Sequence, residues 1–130
     1  MEKLLEELKK INLPKSKFAI FGSGPLAIRN IRKSGDINII VKEDLWNQLS
    51  KKHKVIENKV IKIGNIEIYK NWKPWLEDTN RLIEDSDIIK GLRFVKLKYV
   101  LEWKKKDYRG REKDKKDIQL IEDFLKNNNL

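Results

Sequence analysis

The sequence has no cysteine, one histidine, one methionine and three prolines, and no apolar run approaches the ~20 residues needed to cross a bilayer. The missing thiols exclude disulfides and thiolate-bound metal. The only histidine, His53, lies at a lysine-rich helix end and reads as a surface residue. An export signal needs a long apolar core, whereas Met1-Glu-Lys-Leu-Leu-Glu-Glu-Leu reads as a short amphipathic helix. The expected compartment is therefore the cytoplasm, with no membrane partner. No internal repeat or linker is visible, and 130 residues suffice for one core, so residues 1–130 are expected to form one domain.

Charge is what the chain has in excess: 30 Lys and Arg against 20 Asp and Glu, a formal net charge of +10. The window Lys90–Lys116 alone carries a surplus of eight positive charges. Such a field suits a polyanion, a nucleoside triphosphate or RNA, but a solvated lysine-rich surface gives the same composition.

Periodicity predicts a helix over 2–10, a strand over 17–22, a helix over 26–33 and a strand over 36–42. A helix to about residue 52 follows, then strands over 55–63 and 65–70 about a Gly64-Asn65 turn. Further on, the pattern predicts a helix over 75–84, short strands on either side of Gly91, and helices over 98–106 and 111–126. The inner face of the last helix is expected to be Ile118, Leu120, Ile121, Phe124 and Leu125, with fraying over 126–130. The sum is an α/β (α+β) domain, a mixed sheet flanked by helices with further helices at the C-terminal end.

Within this order, Phe18-Ala-Ile-Phe21 ends at Gly22-Ser23-Gly24-Pro25. Glycine lets the backbone turn sharply and approach a ligand, and proline suits a helix start. Asp36-Ile-Asn-Ile-Ile-Val41 then opens the next strand with Asp36 and Asn38 on one face. Glu67, between Ile66 and Ile68, must face away from those isoleucines. Oxygen-bearing side chains beside a glycine turn suit a divalent cation held against phosphates.

Gly22-Ser23 followed by Asp36-x-Asn38 at a strand start resembles the nucleotidyltransferase superfamily related to DNA polymerase beta, in particular its small prokaryotic branch. Arg111-x-Lys-Asp-x-x-Asp-Ile-x-Leu-Ile121 resembles that branch's C-terminal helix. The resemblance implies Mg2+ held by Asp36, Asn38 and Glu67 as catalytic ligands, with Gly22, Ser23 and Arg32 on the nucleotide. Similarity to toxin-like members of bacterial toxin–antitoxin pairs implies that Lys104 contacts the triphosphate and Asp117 supports the site. The implied reaction moves a nucleoside monophosphate from a triphosphate to an acceptor hydroxyl, with RNA such as tRNA, or a protein partner, among the implied partners.

Three alternatives stay open on the residues themselves. Glu67 also fits an outward residue of an edge strand, Arg29 and Arg32 also fit solvent, and Asp117 also fits an ion pair with Lys104 or Arg111. The departure from the family is Asn38, which stands where the second metal-binding acid is expected. At an effective dielectric of about 20, a unit charge at ~4 Å is worth about 4 kcal/mol, enough to abolish two-metal catalysis or leave it slow. A nucleotidyltransferase fold that binds nucleic acid or a partner without transfer is therefore the second expectation.

Overall fold

A computed structural model of the chain describes residues 1–128. Among them are six helices, α1 (Glu2–Ile11), α2 (Gly24–Ile28), α3 (Glu43–Lys52), α4 (Thr79–Glu84), α5 (Leu97–Lys106) and α6 (Glu112–Asn127). The strands are β1 (Phe18–Phe21), β2 (Ile37–Val41), β3 (Val60–Ile63), β4 (Ile66–Tyr69), β5 (Asp87–Ile89) and β6 (Leu92–Phe94). They form one sheet in the order β3-β4-β2-β1-β6-β5. Pairs β1–β2, β3–β4 and β5–β6 are antiparallel, whereas β2–β4 and β1–β6 are parallel. The mixed sheet with helices on both sides is the expected α+β class.

The strands form where β-branched and aromatic residues alternate between two faces. One face presents Phe18, Ile20, Ile37, Ile39, Val41, Ile66 and Ile68 to Leu5 and Leu8 of α1 and Leu45, Trp46 and Leu49 of α3. Each isoleucine here is fully buried, a contribution of about 1.5–3 kcal/mol apiece. The other face presents Ala19, Phe21 and Ile40 to Leu26, Leu82, Ile83, Val100 and Ile121 of the remaining helices. That second face turns polar toward β3 and β4, where Asn38, Glu67, Tyr69 and Lys62 replace aliphatic residues.

Four elements differ from expectation. The strand expected over 55–63 begins at Val60, because Glu57 and Asn58 take left-handed backbone angles (φ 51° and 57°) and turn the chain. The helix expected over 26–33 ends at Ile28, because Asn30 takes a left-handed turn (φ 58°) and the Ile31 amide closes back on the Leu26 carbonyl. The helix expected from Trp75 begins at Thr79, where the Asp78 carboxylate accepts from the Arg81 amide as an N-cap. On α6 the buried residues are Asp114, Asp117 and Ile121, while Ile118, Leu120, Phe124 and Leu125 are half-buried. Lys126 and Asn127 remain helical and Asn128 caps the helix end, its amide donating to the Phe124 carbonyl; residues 129 and 130 of the expected frayed end lie outside the described residues. No helix among the described residues is long and apolar enough to cross a membrane.

Asp85 ties α4 to α5. It accepts from the Tyr99 hydroxyl at 2.6 Å and pairs with Lys96 at 3.0 Å, and these contacts, Tyr99 foremost, hold its pKa down at about 2. A depressed carboxylate stabilises the fold above its unfolded pKa, near 3.9, and that contribution is lost as pH falls toward 2. Tyr99→Phe should lower the melting temperature at pH 7, with the gap from wild type closing between pH 4 and pH 2. Thermal melts of both proteins across that range check it.

Candidate functional site

Four in-register residues form a row across the polar part of the second face. Phe21 pairs with Asn38, Asn38 with Glu67, and Glu67 with Lys62. Register partners on adjacent strands point the same way and stand about 5 Å apart, so these side chains are neighbours in sequence Phe21, Asn38, Glu67, Lys62. Glu67 is thus on the strand beside β2 and on the face that carries Asn38. Asp36 lies in the bend leading into β2, half-buried, and no ion pair or hydrogen bond engages its carboxylate among the described residues.

Tyr69 stands beside Glu67. Its hydroxyl lies 3.3 Å from Glu67 Oε1, and its pKa is pushed up to about 12 by burial first, then by Glu67, with Asp36 adding a smaller push. The phenol therefore stays protonated and donates. The other oxygen of Glu67, Oε2, lies 3.4 Å from Lys62 Nζ.

The glycine turn closes over Asn38. Gly22 adopts φ 65°, and a Cβ there would stand 2.7 Å from Asn38 Nδ2. Both the left-handed backbone and the close approach require glycine. Ser23 is half-buried, with its hydroxyl 2.6 Å from Ser34 Oγ, which itself donates to the Asp36 carbonyl at 2.7 Å. Since Ser34 spends its proton on Asp36, Ser23 donates to Ser34. A lone pair of Ser23 is left, but its proton serves the turn.

Behind the row stands an aromatic wall. Trp72 stacks on Phe21 at 4.5 Å, and Tyr69 meets Trp72 edge-on at 4.9 Å. Trp103 meets Phe21 at 5.5 Å and Trp72 at 5.1 Å, also edge-on. Lys104 Nζ sits 4.6 Å from the Trp103 ring centre and 3.1 Å from Asp117 Oδ2. Asp117 Oδ1 in turn lies 3.1 Å from Arg32 Nε, and Asp114 pairs with Arg111 and Lys104. Arg32, Lys104 and Asp117 are therefore together, as one ion cluster in which Lys104, Asp114 and Asp117 are buried. Of the two pairings left open for Asp117, the one with Lys104 forms; Arg111 goes to Asp114. Arg29 turns away, pairing with Asp87 at 2.7 Å.

Buried side-chain atoms without a hydrogen bond concentrate here: Asn38 Oδ1, Trp72 Nε1, Trp103 Nε1, Arg32 Nε and Asp117 Oδ2, the last two within ion-pair distance only. Leaving such a group unmatched costs about 1–3 kcal/mol, and three of the five, Asn38 Oδ1, Trp72 Nε1 and Trp103 Nε1, belong to the row and the aromatic wall. A cavity of about 600 Å3 lined by Trp46, Asn47, Lys70, Asn71 and Thr79 lies elsewhere, at the far ends of β2 and β4.

Lys62, Tyr69 and Ser34 were not among the expected site residues. Lys62 was readable, because a two-residue Gly64-Asn65 turn makes residues 62 and 67 partners; Tyr69 shares the face of Glu67 by alternation. Ser34 had no signal. Comparison of the chain with protein-family models, with curated proteins and with solved structures found no match.

Gly22→Ala should destabilise the fold by about 1–2 kcal/mol from its backbone angle alone, measured by urea denaturation. Lys104→Met leaves two buried carboxylates short of a cation and should cost about 3–5 kcal/mol in the same assay. Lys105→Ala, removing an exposed pair with Glu122, should cost under about 1 kcal/mol.

Proposed function

We propose that the chain is a nucleotidyltransferase-fold protein that binds a nucleoside triphosphate with Mg2+ and transfers a nucleoside monophosphate to an acceptor hydroxyl. The observation that carries this reading is the side-by-side register of Asn38 and Glu67, with the buried Asn38 Oδ1 lacking a partner. Asp36 stands two residues before Asn38, at the entry to β2.

The donor set fits magnesium in kind, since Asp36, Glu67 and the Asn38 carbonyl all offer hard oxygens. Among the described residues no group of three or more Asp, Glu, His or Cys could hold a metal, so the proposed set depends on the Asn38 amide as its third oxygen. When bound, the ion would offset the triphosphate charge and favour ionisation of the acceptor hydroxyl. The protein's own part is positioning. Gly22 lets the backbone come close to the ligand, Tyr69 orients Glu67, and the aromatic wall keeps water from one side. Lys104 and Arg32, held by Asp117, supply positive charge on the nucleotide side; Asp117 keeps them in place.

A second reading is favoured by Asn38 itself. A neutral amide between two acids weakens a two-metal site, which suits a nucleotidyltransferase fold that binds nucleic acid or a protein partner, as in a toxin–antitoxin pair, without transfer. Seven of the twelve cations in 90–116 form ion pairs, whereas Lys113, Lys115 and Lys116 on the exposed side of α6 form none among the described residues. With Lys90 and Arg93, which likewise form no ion pair among the described residues, those three are the basic surface left for RNA in either reading.

Calorimetric titration with ATP, CTP, GTP and UTP in the presence of Mg2+ should show binding of at least one, weakened about tenfold or more by Glu67→Gln. No heat with any of the four removes the nucleotide reading. Transfer activity in wild type supports the enzyme, and activity appearing only in Asn38→Asp supports the binder.

A further inference from the structure

The row that brings Asn38 and Glu67 together does not end at the acid. Its last member, Lys62, stands directly opposite Glu67 on β3, the outermost strand at that side of the sheet. The two oxygens of Glu67 are engaged differently. Oε1 accepts a hydrogen bond from the Tyr69 hydroxyl at 3.3 Å, a donor that brings no formal charge. Oε2 faces the ammonium of Lys62 at 3.4 Å.

We infer that Lys62 is a resident counter-cation of the metal site, holding the place beside Glu67 that a divalent ion takes, and that it thereby sets the threshold for metal binding. The inference rests on the metal reading above. A divalent ion ligated by Oε2 would sit about 2.1 Å from it. An ammonium 3.4 Å from the same oxygen is then within a few ångströms of a double positive charge, and the two cannot both stay. Lys62 is the one free to leave. Its side chain is about half exposed, on an edge strand, and a four-carbon stem lets the ammonium swing into water. Asn38 makes the contest closer, because an acid at that position would favour the divalent ion far more strongly than a neutral amide does. Tyr69 does not compete, since a carboxylate oxygen accepts a neutral donor and a metal together.

Titration of the full chain with Mn2+ alone, followed by the electron paramagnetic resonance signal of the free ion, tests this without nucleotide or turnover. Lys62→Ala should tighten Mn2+ about two- to fivefold, the range that loss of a partly exposed ion pair permits. Lys62→Arg, which keeps the charge, should stay near wild type. In a Glu67→Gln background Mn2+ binding should weaken and Lys62→Ala should no longer tighten it. Unchanged or weaker binding by Lys62→Ala, or a gain that persists without Glu67, overturns the role of Lys62 while leaving the metal site standing. Absence of Glu67-dependent Mn2+ binding in every variant overturns both.

Discussion

Parallel pairing of β2 with β4 is the constraint on which the arrangement depends. Ile37 and Ile39 must meet Ile66 and Ile68 on the buried face, and that requirement alone decides which polar residues meet on the other. A slip of one residue would drive Asn38 and Glu67 into the aliphatic layer, where an unmatched amide and carboxylate are far more costly than any gain in strand pairing. The polar row is thus held in line by the hydrophobic packing behind it, not by contacts of its own. Its own contacts are long, 3.3 and 3.4 Å.

The aromatic wall and the ion cluster extend this logic to the C-terminal helices. Phe21, the first member of the row, is clamped by Trp72 and Trp103. Trp103 is followed by Lys104, so the helix that delivers the aromatic edge also delivers the cation. Asp117 of α6 and Arg32 of the α2–β2 connection then lock that cation in place. The aromatic wall and the charge cluster thus share one helix, α5.

The local part of this was legible in the sequence. Alternation put Glu67 opposite its flanking isoleucines, the Gly64-Asn65 turn set the β3–β4 register, and the helix spacing of Asp114 and Asp117 put both on one face. What no local pattern carried was non-local. Nothing near Asp36 or Glu67 in the chain states that β2 and β4 are neighbours, because a parallel pair is joined through a crossover of some two dozen residues. Lys104 was readable as a basic residue on a helix, but its burial follows from α6 packing across α5. The end of the second helix was missed because Asn30 trades helical geometry for a left-handed turn, an option open to asparagine that periodicity does not register.

The location of Lys104, Asp114 and Asp117 beneath the surface has a consequence for how the protein meets dissolved ions. Buried pairs of this kind are screened much less by salt than exposed ones, while the lysines lining the outside of α6 lose most of their reach within about 8 Å at physiological ionic strength. The chain therefore carries two separate sets of charge: one that braces the scaffold with little dependence on salt, and one whose pull on a distant polyanion is tuned by the surrounding electrolyte.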